Sequence, residues 1–263
     1  MLALIALIVA SFTLTSRADI QLARNLTDSA RARELADAGV TRAVVALSNP
    51  NPARRWLADG RPYVWRFGDG VIVISVQNAS GKISVNGAPQ EVLQSAFTYA
   101  GAGEALSASL AQAIIDRRQA LPDRRRMGPA FVAEEDLQTL PGMTAQIYYR
   151  AATLMTVYGQ SATVDAMAAS RDVLLALPNA DPNEIGAFLA ARARLGEEGV
   201  LPPMPPLSVA RYLGPEQSGT ITVLARATTG TGAVFVRHAT VTLQDNGVQP
   251  FVIRTWRQEL AIP

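Results

Sequence analysis

The sequence predicts an α+β fold in which a long N-terminal helix packs on an antiparallel sheet, with a large all-α insertion. Three observations predict it. A helical pattern runs without interruption through residues 1–48. Strand-like segments occur in two separate regions, 49–87 and 200–263, and residues 88–199 between them show helical periodicity and helix caps. The simplest arrangement is one sheet, built from both strand regions, interrupted by the helical insertion and packed on the N-terminal helix.

The N-terminal helix changes character along its length. Residues 1–15 carry no charge and are almost wholly apolar, and an amphipathic pattern follows Arg17 without a break. The first proline, Pro50, is expected to end the helix. The apolar positions of the amphipathic part recur at spacings of three and four, and they are Leu22, Leu26, Ala30, Ala36, Val40, Ala43, Val44 and Leu47.

The apolar start is predicted to lie in a membrane. A bilayer requires about 20 apolar residues, so a run of about 15 falls short and we expect further residues before Met1 in the natural protein. A buried core helix is the alternative, and a signal peptide is disfavoured because a basic start and a small-x-small cleavage site are missing. The residues predicted to face lipid or neighbouring helices are Leu2, Leu4, Ile5, Leu7, Ile8, Val9, Phe12 and Leu14.

Composition argues against several kinds of site. The chain has no cysteine and one histidine, His238, so thiolate chemistry and multi-histidine metal sites are excluded. The net charge of +2 gives no nucleic-acid signature. We find no nucleophile–base pair and no glycine-rich phosphate loop, so the protein is not predicted to be an enzyme and no cofactor is identified. His238 is expected to be a solvated residue on a strand.

The strand regions consist of alternating segments separated by glycine-containing turns. The predicted strands are 63–67, 71–76, 219–228, 233–243 and 251–256. Ile221 and Val223 are predicted to share one face, and a turn is expected at 245–247. Four clustered aromatic residues are expected on the sheet face that packs against the long helix, and they are Trp56, Tyr63, Trp65 and Phe67.

The helical region contains two related units. Residues 83–93 align with 164–174, and each unit has a strand-like start, a turn or cap, and a helix. Asn86 or Gly87 is the predicted cap of the first helix, and Ser170 of the second. Both units run on into an arginine-bearing helix, at 110–118 and 185–194.

A short hairpin follows the first unit. Leu140, Pro141 and Gly142 form the turn of a helix-hairpin-helix-like element, and residues 177–180 are its counterpart in the second unit. Such hairpins can offer backbone N–H groups to DNA phosphates. A basic cluster lies near the first hairpin in the sequence, and it comprises Arg117, Arg118, Arg124, Arg125 and Arg126.

Two features favour a structural role for the hairpins over phosphate binding. Thr144 replaces the second glycine that usually follows such a hairpin, and residues 134–136 are all acidic. We therefore expect no nucleic-acid partner. A membrane-anchored helix-hairpin-helix protein that binds DNA, of the DNA-uptake type, remains the alternative function.

The chain resembles the minor pseudopilin K family of type II secretion (general secretion pathway protein K), which has a type IV pilin-like architecture. The resemblance covers nearly the full length, and its motifs are specific only in combination. The residues that carry it are 24–26, 31–33, 36–40, 81–86, 88–93, 136–142, 154–158 and 251–256.

This resemblance implies a subunit at the tip of the pseudopilus, the fibre that supports protein export across the outer membrane. Family members are prepilins that lose a short basic leader after a glycine and then join I- and J-type minor pseudopilins to prime fibre assembly. The K subunit lacks the glutamate that most pilins carry near the mature N-terminus, and it is missing here too. The implied location is the inner membrane, with one N-terminal span and a periplasmic domain. The family can bind structural calcium, but no ligand residues are assigned.

Overall fold

The computed structural model describes the backbone of residues 2–51, 54–120, 128–195, 202–215, 218–244 and 251–259, with side chains from Asp19 onward. The helices are α1 (Leu2–Leu47), α2 (Gln90–Tyr99), α3 (Glu104–Gln119), α4 (Ala145–Leu154), α5 (Arg171–Leu175) and α6 (Pro182–Ala193). The strands are β1 (Asp59–Phe67), β2 (Gly70–Asn78), β3 (Ile83–Ser84), β4 (Met155–Thr156), β5 (Thr220–Thr228), β6 (Val234–Leu243) and β7 (Phe251–Glu259). Short 3₁₀ helices occupy Ala79–Gly81, Glu134–Thr139 and Leu207–Tyr212.

Both strand regions contribute to one antiparallel sheet, as the sequence predicts. The strand order is β1-β2-β5-β6-β7, and β2 of the first region pairs directly with β5 of the second. Val76 lies opposite Val223, and Val73 lies opposite Arg226. β1, β2 and β7 extend beyond their predicted ends, and β1 already begins at Asp59. β5 and β6 each begin one residue later than predicted. The predicted turn at 245–247 lies outside the described residues.

The C-terminal half of α1 lies across one face of this sheet. The buried residues of this interface come from α1 and from the three central strands, and they include Leu35, Ala36, Val40, Ala43, Val44, Ile72, Ile74, Val76, Val223, Ala225, Ala239 and Val241. Small side chains on α1 allow the helix to approach the strands closely. At Gly39 an added Cβ would lie 2.9 Å from Ile72 Cγ2 and 3.1 Å from Ala225 Cβ.

Substituting Gly39 by valine is expected to destabilise the helix–sheet interface. The added branches have no space between α1 and β2, and forced overpacking typically costs about 1–3 kcal/mol. We expect the free energy of unfolding to fall by about this amount, measured by urea denaturation with tryptophan fluorescence. Thr41→Val, at an exposed position of the same helix, is the control and is expected to change little. Equal losses in both variants would contradict the close approach at Gly39.

A buried ion pair also joins α1 to the sheet. Arg237 of β6 is 4% exposed, and its Nε donates to Asp37 Oδ1 at 2.5 Å. The guanidinium also lies over the rings of Phe235 and Trp256, at 4.9 and 5.1 Å from their centroids. The sequence offers no local signal for this pair, because its members are 200 residues apart.

The four clustered aromatic residues do not all pack as expected. Trp56 and Trp65 are half-buried against the helix–sheet core, and Trp56 stacks on Tyr63 with ring centroids 4.1 Å apart. Phe67 is 57% exposed, so the expectation was wrong for this residue. The reason is its position at the end of β1, an edge strand, where α1 does not cover the face.

The helical insertion connects two strands that are neighbours in the sheet. β2 ends at Asn78, which lies opposite Ile221 of β5, so the insertion stands where a hairpin turn would otherwise join them. Its buried residues form their own core, from Ile83 to Tyr212, which includes α2, α3 and α4. The sheet and α1 form a separate core. The predicted boundaries at residues 88 and 199 stay a prediction.

Replacing residues 80–218 by a short glycine-containing turn is expected to leave the sheet and α1 folded. β2 and β5 would then form an ordinary hairpin, since Asn78 and Ile221 are already paired. All three tryptophans, Trp56, Trp65 and Trp256, lie outside the deleted segment and report on the remaining core. A cooperative unfolding transition seen by their fluorescence is the expected result. A chain without such a transition would show that the two cores depend on each other.

Candidate interaction surfaces

The N-terminal half of α1 projects beyond the sheet and exposes apolar residues. Ile20, Leu22 and Leu26 are 54%, 59% and 63% exposed, whereas buried positions begin at Ala32. The side chains of the predicted membrane-facing residues, from Leu2 to Leu14, lie outside the described part of the structure. Among the residues that the structure describes, no helix is both long enough and apolar enough to cross a membrane. These exposed apolar side chains, on more than one side of α1, suit contact with another helix or another apolar partner.

The predicted hairpin is present, although its first helix is a 3₁₀ helix. Gly142 adopts a φ of +83°, and Thr144 caps α4 by accepting a hydrogen bond from the Ile147 N–H at 3.3 Å. An added Cβ at Gly142 would lie 2.8 Å from Leu106 Cδ1, so the turn packs against α3. Leu140 is buried in the core of the insertion.

The second hairpin repeats this geometry without a glycine. Asn179 occupies the position of Gly142 and adopts a φ of +63°, in the left-handed region that asparagine tolerates better than most residues. Asp181 then caps α6 by accepting from the Asn183 N–H at 2.8 Å, as Thr144 caps α4. The missing glycine therefore does not remove the turn.

A buried arginine closes the first unit of the insertion. Arg118, near the end of α3, is 6% exposed. Its Nε donates to the Val85 carbonyl at 2.7 Å, and its Nη1 donates to the Ala88 carbonyl at 2.6 Å. Nη2 also donates to the Val85 carbonyl and, at 3.3 Å, to that of Ser84. The five donors of a guanidinium suit such a cluster of carbonyls.

The second unit uses an arginine in the same way. Arg192, near the end of α6, is 7% exposed, and its Nη1 donates to the carbonyls of Ala166 and Ala169 at 2.7 and 2.6 Å. In the sequence alignment these two alanines stand at the positions of Val85 and Ala88. The internal repeat is thus confirmed by matching contacts, and Arg118 and Arg192 have structural roles in the two units.

The helix caps of the two units differ. Ser170 caps α5 as predicted, and its Oγ accepts from the Val173 N–H at 3.3 Å. In the first unit the prediction of Asn86 or Gly87 was wrong, because α2 follows Pro89 with no side-chain cap. The Asn86 side chain instead bonds to the backbone of Phe131 and Val157, 45 and 71 residues away. Local sequence cannot reveal this competing role.

The basic cluster does not form a phosphate site in the described residues. Arg118 points into the core, and the Arg117 guanidinium lies 4.4 Å from the Phe131 ring centroid and 3.9 Å from Asp136 Oδ1. Arg124, Arg125 and Arg126 lie outside the part of the chain that the structure describes. Beside the first hairpin, the acidic Glu135 pairs with Arg257 of β7.

Polar residues line the contact between the insertion and the sheet. Lys82 is half-buried and its Nζ donates to the Ala152 carbonyl at 3.2 Å, while burial lowers its pKa and nearby Glu134 opposes that shift. His238 was expected to be solvated, which is wrong, because the insertion covers this face of β6. Burial lowers the pKa of His238, and the charge of Glu259 partly opposes this. Burial raises the pKa of Tyr158 in the insertion, and Thr240 of the sheet partly opposes this shift.

A second polar contact lies where β1 meets the second unit of the insertion. Asp59 is buried, and Arg61 binds both of its carboxylate oxygens at 3.0 Å or less. Burial alone would raise the pKa of Asp59, but the hydrogen bonds from Arg61 and the charges of Arg61 and Arg192 hold it below its usual value. The Arg192 Nη2 lies 3.9 Å from Asp59 Oδ2, so the same arginine also ties the insertion to the sheet.

No metal centre is evident in the described ranges. Among these residues the structure contains no group of three or more acidic, histidine or cysteine side chains placed to hold an ion. A cleft of about 710 Å³ lies between the insertion and the sheet, with Phe131, Tyr158 and Arg254 among its lining residues. The described residues therefore provide no ligand group for the structural calcium that the resemblance implies.

A long N-terminal helix packed on one antiparallel sheet defines a type IV pilin-like fold, here with a helical insertion. The fold is similar to a chain of the GspK–GspI–GspJ complex from the enterotoxigenic Escherichia coli type 2 secretion system. The TM-score is 0.50 at 12% identity, and the match covers 94% of this chain and 100% of that chain. No family model and no curated protein matches the chain. The resemblance to minor pseudopilin K is thereby confirmed as a resemblance of fold.

Proposed function

We propose that the protein is a minor pseudopilin at the tip of a type II secretion pseudopilus. In this role it forms a complex with I- and J-type minor pseudopilins, primes fibre assembly and supports export across the outer membrane. Its role is structural rather than enzymatic. Before assembly it resides in the inner membrane by a single N-terminal span, with the remaining chain in the periplasm.

The observation that carries this proposal is the position of the projecting helix and the insertion at opposite ends of the sheet. Near the N-terminal end of β2, Arg31 of α1 pairs with Asp69 at 2.7 Å, and α1 projects from that end. The insertion leaves from the other end of β2, after Asn78. The subunit therefore has one end with an apolar helix and another end covered by a bulky domain. Such a subunit can begin a fibre but blocks addition above itself.

The exposed apolar residues Ile20, Leu22 and Leu26 of α1 support the fibre and membrane parts of the proposal. The same apolar side chains can face lipid before assembly and neighbouring helices afterwards. We expect the full chain to remain in the membrane fraction after alkaline extraction, and its C-terminal domain to be accessible to protease from the periplasmic side. Recovery in the soluble fraction would contradict the membrane proposal without affecting the tip-complex proposal.

A pull-down tests the tip complex directly. The bait is the fragment from Ala30 onward, which retains the described α1–sheet contacts, and the prey are purified I- and J-type subunits. We expect it to retain at least one of them. Binding to neither subunit would contradict the tip complex. The variant without residues 80–218 shows whether a retained partner contacts the insertion or the sheet.

A duplex-DNA titration tests the DNA-binding alternative. We expect weak binding at low salt that is unchanged when Arg124, Arg125 and Arg126 are replaced by glutamine. Tight binding that falls steeply with salt and weakens in this variant would favour the alternative.

A further inference from the structure

The two edges of the sheet differ in how they are protected. The edge strand β1 contains Pro62 and an irregular register between Asp59 and Pro62, both of which hinder pairing with another strand. The other edge strand, β7, has nine residues from Phe251 to Glu259, with no proline or glycine. Within the described residues, no backbone hydrogen bond joins β7 to any strand except β6. Its outer edge therefore offers N–H and C=O groups that no other described strand pairs.

A bulge in β7 places two arginines on the same side of the strand. The register shifts so that Thr240 lies opposite Thr255 while Val241 lies opposite Ile253, which leaves Arg254 without an opposite residue. Its Nε donates to Thr242 Oγ1 at 3.1 Å, on the side of the sheet that faces the insertion. Arg257 faces the same side, where it pairs with Glu135. Bulges commonly redirect side chains in this way.

The other side of β7 is mainly apolar, with Gln258 near the end of the strand. Ile253 and Trp256 face the side of the sheet on which α1 lies, and they are 48% and 37% exposed. Trp256 is held in place by the Arg237 guanidinium beneath its ring. An added strand would thus find Arg254 and Arg257 on one side, with Glu259 at the end of β7, and a mainly apolar surface on the other.

We propose that β7 is a strand-addition site for an extended segment of another protein, in which apolar and acidic residues alternate. Backbone hydrogen bonds to the β7 edge would hold the segment, and its alternate side chains would determine specificity. Acidic residues would lie beside Arg254 and Arg257, and apolar residues beside Ile253 and Trp256. The arginines disfavour a second copy of β7 as the added strand, because like charges would meet across the new pair.

This proposal does not depend on the tip-complex function, so either can fail alone. The probe is a capped eight-residue peptide of alternating valine and glutamate, added to the full chain in detergent micelles. We expect peptide binding to slow hydrogen exchange at β7 amides and to leave β1 amides unchanged. A valine–lysine peptide is expected to bind at least roughly tenfold more weakly. Protection at β1, or equal binding of the two peptides, would overturn the proposal.

Two N-methylated peptides test the backbone hydrogen bonds. Only every second N–H of an added strand faces β7, and the others face solvent. Methylation of one alternate set should therefore abolish binding, and methylation of the other set should preserve it. Retention or loss of binding by both peptides would show that the peptide is not held as a strand.

Charge-reversed variants test the basic side of β7. Arg254→Glu is expected to weaken the valine–glutamate peptide roughly tenfold and to strengthen the valine–lysine peptide. Arg66→Glu, at an exposed arginine on the opposite edge strand, is the matched control and should leave both affinities unchanged. An equal effect of the two substitutions would show that net charge, rather than β7, selects the peptide.

Discussion

Replacing Arg118 by methionine is expected to destabilise the insertion strongly. Methionine fills much of the space, but the carbonyls of Val85 and Ala88 lose their donor inside the core. Each buried acceptor left unsatisfied costs about 1–3 kcal/mol, so we expect a total loss of about 2–6 kcal/mol for the two carbonyls. Arg118→Lys should recover only part of the loss, since an ammonium group cannot reproduce the fork of a guanidinium.

The two cores of the protein make this prediction specific. Hydrogen exchange of α2 and α3 should accelerate in the Arg118 variant, whereas the unfolding transition seen by tryptophan fluorescence should change little. The tryptophans all lie in the half that contains the sheet. Arg150→Met, at an exposed arginine of α4, is the control and should leave both measurements unchanged. Normal exchange rates in the Arg118 variant would contradict its role in closing the first unit.

Replacing Asp37 by alanine is expected to destabilise the core between α1 and the sheet and to leave the insertion unchanged, which is the reverse of the Arg118 substitution. It leaves the Arg237 guanidinium buried without its carboxylate, and removal of one partner of a buried pair costs about 3–5 kcal/mol. Tryptophan fluorescence should report the loss, because Trp256 packs against Arg237. Exchange in α2 and α3 should be unchanged.

Two further variants test the cause of this loss. Asp37→Ala combined with Arg237→Met should recover much of the stability, because the unpaired charge is then removed. Asp69→Ala breaks the exposed pair with Arg31 and should cost about 0–1 kcal/mol. If Asp37→Ala costs no more than Asp69→Ala, the Asp37–Arg237 pair does not hold α1 on the sheet.

Local sequence patterns predicted the secondary structure well where the spacing of apolar residues within one element determines which face of that element is buried. The spacing of apolar residues identified α1, and the strict alternation around Ile221 and Val223 identified β5 and its buried face. The Ser170 cap and the turn at Gly142 were also predictable, because each depends on residues within three positions in the chain. The repeat in the insertion was visible in the sequence for the same reason.

The errors occur where distant segments meet. Asn86 does not cap α2, because its amide group bonds to Phe131 and Val157. His238 is not solvated, because the insertion covers its strand. Phe67 lies on the same face of β1 as Trp65, but it is exposed because α1 does not reach the end of β1. In each case the sequence shows the residue type and the periodicity of the element that contains it, but it does not show which distant segment packs against that residue.

The sequence by itself determined the order of elements, the long helix, the two strand regions and the helical units between them. It also supported the resemblance to a minor pseudopilin, while the membrane role of residues 2–14 stays a prediction. Only the tertiary structure showed that Arg118 and Arg192 bind the backbone of the two units and that Asp37 and Arg237 join helix to sheet. It also showed that, among the described strands, β7 pairs with β6 alone. Element formation depends on neighbouring residues, whereas buried polar contacts depend on residues far apart in the chain, whose distances a linear sequence does not contain.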